Sequence, residues 1–293
     1  MKISDMIKSG KPTLSFEVFP PKTSDAYEKV AGAAYKIADL KPDFMSVTCG
    51  AAGTTDSYTA LIASEIKNKH SVEALQHYTC INVTRENVLK KLEFSKKNNI
   101  DNILALRGDI PENYDKDADH DFKHASELIY FIKEHSDMCV GAACYPERHP
   151  ESPDVKSDIA HLKEKAEAGC DFITTQMFFD NNVLYKYLYK IREAGIYVPV
   201  IAGIMPVTNA KQIKRIMSLS NAEFPSKFMN IIDRFGPDND AMLQAGIIYA
   251  CEQIIDLIAN GVDNIHIYTM NKPEVAGKIQ ESLSGIIPSC QNK

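Results

Sequence analysis

Eight short runs of apolar, β-branched or small residues recur along the chain, and a longer segment of helical period follows each of them. The runs lie at 13–19, 44–49, 73–80, 102–107, 138–144, 171–177, 198–204 and 264–269, and the helical segments at about 24–40, 56–69, 85–98, 122–136, 155–169, 182–195, 208–221 and 273–284. Strands that alternate with helices predict βα units and a parallel sheet. Eight such units predict an α/β fold of the closed (β/α)8 TIM-barrel type, whose typical length of about 250 residues suits this chain.

No linker, low-complexity tract or change of composition divides the chain, so the sequence predicts one domain over residues 1–293. A doubly wound open sheet is the alternative, but no G-x-G-x-x-G follows any predicted strand. Left-handed C-terminal caps are expected at three glycines that end helices, Gly169, Gly195 and Gly261. The excess length lies at 222–260, where two additional helices are expected between strands 7 and 8.

The composition argues against several kinds of partner. The formal net charge of -6 and the lack of a long Lys/Arg block do not fit a nucleic-acid-binding surface. The longest apolar runs fall short of the roughly 20 residues that cross a bilayer, and the N-terminus has no apolar signal-peptide region, so we expect a cytoplasmic protein without a membrane partner. Seven cysteines match neither a disulfide framework nor a zinc pattern, and H-x-H and H-E-x-x-H do not occur, so no metal is expected.

The first predicted strand directs an acid into the barrel interior. Leu14, Phe16 and Val18 form its apolar side, which should face the helices, and this turns Ser15 and Glu17 inward. A buried charge is costly unless it is paired, protonated or used in chemistry. The pattern therefore predicts that Glu17 is an acid catalyst, with a structural salt bridge as the alternative.

Further polar side chains gather where the other strands end, and catalytic groups of such barrels collect at that rim. The set comprises His77, Arg107, Gly108, Asp109, Tyr145, Glu147, His149, Gln176 and Lys272. Taken singly, His77 could be a core histidine and Gln176 a satisfied amide. Arg107 and Asp109 could form a structural ion pair. No strand carries the inward lysine of a Schiff-base aldolase, and a mouth with one acid among neutral groups favours an organic cofactor.

Eight segments at these strand ends carry a family resemblance. They are SFEVFPPKT at 15–23, SVTCGAAGTT at 46–55, HYTC at 77–80, LALRGD at 104–109, YPERHPES at 145–152, TTQMFFD at 174–180, GIMPVTNAKQ at 203–212 and HIYTMNK at 266–272. In this order they resemble the methylenetetrahydrofolate reductases along nearly the whole chain. The resemblance implies FAD-dependent reduction of 5,10-methylenetetrahydrofolate to 5-methyltetrahydrofolate in a ping-pong cycle, which supplies methyl groups for methionine synthesis or one-carbon metabolism. NADH is the expected electron donor, with NADPH or an iron–sulfur partner subunit as alternatives.

The resemblance also implies roles for individual residues. Glu17 would be the general acid that protonates N10 of the folate, and Asp109 would stabilise the cationic iminium that ring opening creates. Gln176 would bind the pterin or the nicotinamide, and Gln212 and Lys272 would lie on the folate side. The residues expected around FAD are Thr48, Ala51, His77, Arg107, Gly108, Asp109, Ala125, Tyr145, His149, Asp158 and Lys165.

Three positions depart from the enterobacterial pattern of the family. Lys272 replaces the usual arginine, so a bidentate grip on a folate carboxylate becomes a point-charge contact. His161 and Glu164 stand where an asparagine and an arginine often contact FAD, so we expect either weaker FAD binding or contacts from Lys163 and Lys165 instead. The chain is also expected to lack the regulatory domain of the longer eukaryotic forms, and to form a homo-oligomer.

Two function classes besides the reductase stay open at this stage. One is a pterin-binding methyltransferase barrel, which would share a folate-sized mouth but need no flavin. The other is a non-catalytic subunit of a larger redox complex.

Overall fold

A closed ring of eight parallel strands forms the centre of the molecule, in a computed structural model that describes residues 1–50, 56–110, 120–219 and 222–287. Each strand pairs with its neighbours in the chain, and the last pairs with the first. The strands are β1 (Thr13–Val18), β2 (Phe44–Val47), β3 (Glu73–Thr79), β4 (Asn102–Leu106), β5 (Cys139–Cys144), β6 (Phe172–Thr175), β7 (Val200–Ile204) and β8 (Asn264–Tyr268). Every strand lies inside its predicted run, so the (β/α)8 prediction is confirmed and the doubly wound alternative is wrong.

Helices surround the ring, and the two additional helices expected within 222–260 are present. The helices are α1 (Ile3–Lys8), α2 (Tyr27–Ala38), α3 (Asp56–His70), α4 (Arg85–Lys97), α5 (Ala125–His135), α6 (Val155–Glu167), α7 (Asn181–Glu193), α8 (Ala210–Leu219), α9 (Ser226–Phe235), α10 (Asn239–Ala259) and α11 (Pro273–Ser282). The pattern missed α1, because six residues are too few to show a helical period.

Local sequence sets many of these helix ends. The side chains of three N-cap aspartates accept hydrogen bonds from backbone N–H groups of the first turn, Asp154 in α6, Asp180 in α7 and Asp238 in α10. The three predicted terminal glycines have φ angles between +79° and +98°. This left-handed backbone favours glycine over residues with a Cβ, so the predicted caps are confirmed.

The barrel has two apolar layers that leave its upper end for polar groups. Outward-facing residues of the strands, such as Leu14, Phe16 and Val18, pack against the helices, as the alternation in β1 predicted. The lower interior holds a second cluster of Ile3, Phe44, Leu75, Leu104, Cys139, Phe172 and Ile201. Ile3 belongs to α1, so this short helix closes the barrel floor. The interior polar groups lie above this floor, toward the C-terminal ends of the strands.

The longest described helix, α10, is highly apolar. Among the described residues it is the one helix with the length and composition of a membrane span, and 56% of that window is buried inside the protein. It contacts α7, α9 and α11. Burial against these neighbours accounts for its apolar composition.

Candidate active site

Glu17 lies inside the barrel mouth among three other polar side chains. Ser46 Oγ on β2 lies 3.4 Å from Glu17 Oε2. The Nε2 atoms of His77 on β3 and His266 on β8 lie 3.7 and 3.8 Å from the same oxygen. Both imidazole distances exceed ordinary hydrogen-bond length but lie within ion-pair distance, so the structural alternative for Glu17 stays open. The inward orientation predicted for Glu17 is confirmed.

His77 faces Glu17 as a neutral ring. Burial lowers its pKa to about 4, although the nearby carboxylate of Glu17 acts in the opposite direction. Within the described part of the chain, neither His77 Nε2 nor the neighbouring Thr79 Oγ1 has a hydrogen-bond partner. Buried polar atoms of this kind are the groups that a bound ligand can satisfy.

A cavity of about 380 Å³ opens along the ends of β4 and β5, and β4 pairs with β3, the strand that carries His77. Its lining includes eight of the eleven residues predicted to bind FAD, namely Arg107, Gly108, Asp109, Ala125, Tyr145, His149, Asp158 and Lys165. Of the other three, Thr48 and His77 belong to the ends of β2 and β3, and Ala51 lies outside the described residues. The structure therefore brings residues that are up to 58 positions apart in the sequence to one cavity.

A partly buried cation, Lys165, lines the cavity. The Lys165 Nζ donates to Ala143 O at 2.9 Å, and burial lowers the pKa of this amine. Asp158 supports the adjoining loop, because its Oδ1 accepts from Ser152 Oγ at 2.8 Å and from His149 N at 3.2 Å. An ammonium group beside a cavity suits an anionic ligand such as a diphosphate.

Arg107 has a different partner from the one considered in the sequence. Its guanidinium donates to both carboxylate oxygens of Glu151 at 2.6 and 2.7 Å, whereas Asp109 is exposed. The alternative of an Arg107–Asp109 ion pair is wrong. Arg107 and Asp109 are two residues apart, but their side chains point in different directions. The partner of Arg107 is Glu151, 44 positions further along the chain.

The two departures on α6 also line the cavity. His161 and Glu164 form a contact of 3.6 Å between Nδ1 and Oε2, and both side chains are more than half exposed. Of the two lysines expected to substitute for the missing cation, Lys165 lines the cavity, whereas Lys163 is exposed and is not among the lining residues. A contact of Lys163 with FAD stays a prediction.

The three folate-side residues lie at the ends of β6, β7 and β8. Gln176 Oε1 accepts from Met177 N at 2.9 Å, which leaves its amide N–H groups for another partner. Gln212 Oε1 accepts from Thr208 N and Asn209 N, each at 3.1 Å, so it caps the start of α8. Lys272 Nζ donates to Thr208 Oγ1 at 2.8 Å. The loop after β7 thus joins Gln212 and Lys272 at one side of the mouth.

Four site residues were not among the predicted functional set, namely Ser46, Glu151, His266 and Tyr268. The period-2 rule that placed Glu17 would have found two of them. In β8, Ile265 and Ile267 pack outward, which turns His266 inward. In β2, Met45 and Val47 pack outward in the same way and turn Ser46 inward.

The chain is similar in sequence to proteins of one known family. A family model described as methylenetetrahydrofolate reductase matches residues 2–284. The chain belongs to this family. Methylenetetrahydrofolate reductase (NADH) 1 from Arabidopsis thaliana is 35% identical over 92% of this chain and 49% of the relative. The 5,10-methylenetetrahydrofolate reductase of Escherichia coli K12 is 34% identical over 95% of this chain and 93% of the relative. The chain thus spans about half the length of the plant reductase and nearly all of the bacterial one.

A solved structure resembles this barrel at low sequence identity. It is an uncharacterized protein from Clostridium thermocellum, described as binding two copies of 5-methyl-5,6,7,8-tetrahydrofolic acid. It superposes with a TM-score of 0.64 at 13% identity, over 96% of this chain and 99% of that one. At this identity the likeness supports the barrel fold alone.

Proposed function

We propose that residues 1–293 form one catalytic domain that reduces 5,10-methylenetetrahydrofolate to 5-methyltetrahydrofolate, with FAD bound in the cavity and NADH as donor in a ping-pong cycle. The observation that carries the proposal is Glu17, an inward carboxyl in a barrel whose cavity at the ends of β4 and β5 is lined by eight predicted FAD residues. Membership of the methylenetetrahydrofolate reductase family supports the same reaction.

The charge and lining of the cavity support FAD as the cofactor. The cavity volume of about 380 Å³ lies in the range of small-molecule sites, and Lys165 supplies a partly buried cation for the diphosphate. Gly108, which lines the cavity, has φ +87°, and a Cβ there would lie 3.0 Å from the Cβ of Thr79, so this position favours glycine. When bound, FAD would supply a centre that accepts hydride from NADH and passes it to the folate.

Glu17 is the group that moves a proton in this proposal. Its O–H bond breaks as an N–H bond forms at folate N10, and the electron pair of the bridging C–N10 bond goes to that nitrogen. The one-carbon bridge is left as a cationic iminium on N5. Asp109, exposed at the rim, supplies negative charge for that cation.

Other residues of the chain orient the substrates. Gln176 offers amide N–H donors to the pterin or to the nicotinamide, because its oxygen is already bound by Met177 N. Lys272 and Gln212 lie on the side of the mouth that would hold the remainder of the folate, and Lys272 gives a point charge for a carboxylate.

The choice of NADH rests on the names of relatives from Arabidopsis thaliana and Zea mays, which specify that donor. Anaerobic stopped-flow reduction with NADH, NADPH or a reduced iron–sulfur protein tests it. We expect NADH to reduce the bound flavin fastest, and fast reduction by the iron–sulfur donor alone would replace it with a partner-delivered route. Cytoplasmic location and homo-oligomerisation stay predictions of the same proposal.

The central experiment separates the two half-reactions in Glu17→Gln. The acid is needed for ring opening and not for flavin reduction, so NADH should reduce the variant at a normal rate. Reduction of the folate should slow by about 100- to 10,000-fold, the usual contribution of a general acid. Glu86→Gln, the same change at an exposed position on α4, should leave both half-reactions unchanged.

Two outcomes would contradict the proposal. Equal loss of both half-reactions in Glu17→Gln would show that Glu17 is structural. If the purified protein does not absorb at about 450 nm, even after FAD is supplied, the flavin-free methyltransferase becomes the better interpretation.

A further inference from the structure

A chain of hydrogen-bonding groups runs through the barrel interior and ends at Glu17. Ser15 Oγ lies 2.9 Å from Ile265 O and 2.7 Å from His266 Nδ1. On the other side of the ring, His266 Nε2 lies 3.0 Å from Ser46 Oγ, which lies 3.4 Å from Glu17 Oε2. Ser15 and Ser46 are fully buried and His266 is almost so, which keeps bulk water from exchanging these contacts.

The strand register brings these groups next to one another in space. Ser15 is paired with His266 across β1 and β8, and Glu17 is paired with Ser46 across β1 and β2. Phe44 stacks on the imidazole of His266 at a centroid distance of 5.8 Å and an interplanar angle of 10°. The ring is therefore held with one nitrogen toward each serine.

The direction of the hydrogen bonds follows from counting protons. A carbonyl can only accept, so the single hydroxyl proton of Ser15 goes to Ile265 O. Ser15 then accepts from His266 Nδ1–H, and a neutral ring protonated there has a bare Nε2. The unprotonated Nε2 then accepts a hydrogen bond from the Ser46 hydroxyl, which leaves lone pairs of the Ser46 oxygen facing Glu17.

The opposite direction makes fewer hydrogen bonds. If Ser15 donated to His266 Nδ1, the Ser15 and Ile265 oxygens would face each other at 2.9 Å with no proton between them. That arrangement therefore has one hydrogen bond fewer than the first. The first direction satisfies every contact in the chain, provided that Glu17 carries a proton to donate to Ser46.

Among the described residues, the other titratable groups that face Glu17 are His77 on β3 and His266 and Tyr268 on β8. Burial favours the neutral form of His77 and of Tyr268. His77 is neutral because burial lowers its pKa to about 4. Burial also raises the pKa of Tyr268 well above its usual value, so this phenol keeps its proton.

We infer that His266 is a positioning residue, whose Nδ1–H tautomer fixes the Ser46 hydroxyl so that Glu17 keeps the proton it later gives to the folate. Ser15 selects the tautomer of His266, although it lies two residues before Glu17 in β1. The inference rests on the proposed function, because it explains how the acid is kept ready for ring opening. It also assigns a role to two buried polar residues, Ser15 and His266, that do not touch the reacting atoms.

The ring tautomer can be measured without any turnover. In ¹⁵N-histidine-labelled protein, the resonances of His266 are identified by their loss in His266→Gln, or by their shift in Ser15→Ala if the first variant does not fold. We expect a neutral ring with the proton on Nδ1 and none on Nε2. A proton on Nε2, or on both nitrogens, would overturn the inference.

The kinetic test uses Ser15→Ala, which removes the group that selects the tautomer. The ring can then carry its proton on Nε2 and donate to Ser46, whose hydroxyl would turn to Glu17 and favour its ionised form. We expect the high-pH limb of the folate half-reaction to move about one pH unit lower, the equivalent of one hydrogen bond. The pH profile of flavin reduction by NADH should not move.

A matched control separates this effect from simple loss of a buried serine. Ser95→Ala removes a fully buried hydroxyl that bonds Gln76 Oε1 at 2.9 Å, outside the barrel interior. It should leave both pH profiles in place. An equal shift of both half-reactions in Ser15→Ala, or a shift of neither, would refute the role of His266.

Failure of the proposed function gives a different result. In that case the wild-type flavin would be reduced by NADH but would not be reoxidised by 5,10-methylenetetrahydrofolate. The tautomer measurement does not depend on that reaction and would still decide whether the hydrogen-bond chain has the inferred direction.

Discussion

Gly203 in β7 lies where the barrel tolerates no side chain, and Gly203→Ala tests the packing below the folate-side residues. A Cβ at this position would meet the carbonyl oxygen of Thr175 and lie 2.5 Å from the hydroxyl of Tyr268. That hydroxyl donates to Thr175 O at 2.6 Å, and Gly203 N donates to Thr175 Oγ1 at 2.9 Å. The two short bonds join the ends of β6, β7 and β8 directly before Gln176.

The magnitude follows from what the extra methyl group must displace. Overpacking of a well-packed core costs about 1–3 kcal/mol, and separation of the buried Tyr268 hydroxyl from its acceptor costs about another 1–3 kcal/mol. We therefore expect Gly203→Ala to lower the free energy of unfolding by about 2–6 kcal/mol. Because Gln176 follows Thr175, we also expect a higher KM for the folate.

Urea unfolding at one fixed flavin concentration measures the first effect, because bound cofactor would otherwise add its own stabilisation. Gly32→Ala is the matched control, since Gly32 lies in α2 with open space around its Cβ position. Replacing a helical glycine by alanine should raise stability by up to about 1 kcal/mol. If both variants were as stable as the wild type, or more so, the close approach of Tyr268 to Gly203 would be refuted.

Two further predictions concern the barrel floor and the pH response. In the wild type, the buried Ile3 N–H donates to Asn102 Oδ1 at 2.8 Å. Asn102→Ala removes this acceptor and should lower the free energy of unfolding in urea titration by about 1–3 kcal/mol. An unchanged midpoint would mean that α1 does not depend on this contact. Burial raises the pKa of Glu147 from 4.5 to about 7, against the hydrogen bond from Glu223 N, so the folded state binds the proton more tightly than the unfolded state. Its contribution to stability is therefore present below about pH 4.5 and is lost as the pH rises to about 7. Melting curves at pH 5 and pH 8 should show that the wild type loses stability relative to Glu147→Gln, and a constant difference would contradict this.

The chemistry of individual segments was readable in the sequence. The alternation in β1 placed Glu17 inward, because side chains of a strand point to opposite faces in turn. The glycines at 169, 195 and 261 marked helix ends, because a left-handed cap favours a residue without a Cβ. The order of strand and helix segments predicted the closed barrel, and the C-terminal rim gathered most of the predicted site residues.

Contacts between side chains that are distant in the sequence were decided by the tertiary structure. Arg107 bonds Glu151 and not Asp109, and Lys165 lines the cavity whereas Lys163 does not. The directions in which side chains leave neighbouring loops and helix turns determine such pairings, and a local pattern does not contain them. The same holds for His266, whose serine partners come from strands more than 200 residues away. The sequence by itself determined which groups point into the barrel, and closure of the ring decided which of them meet.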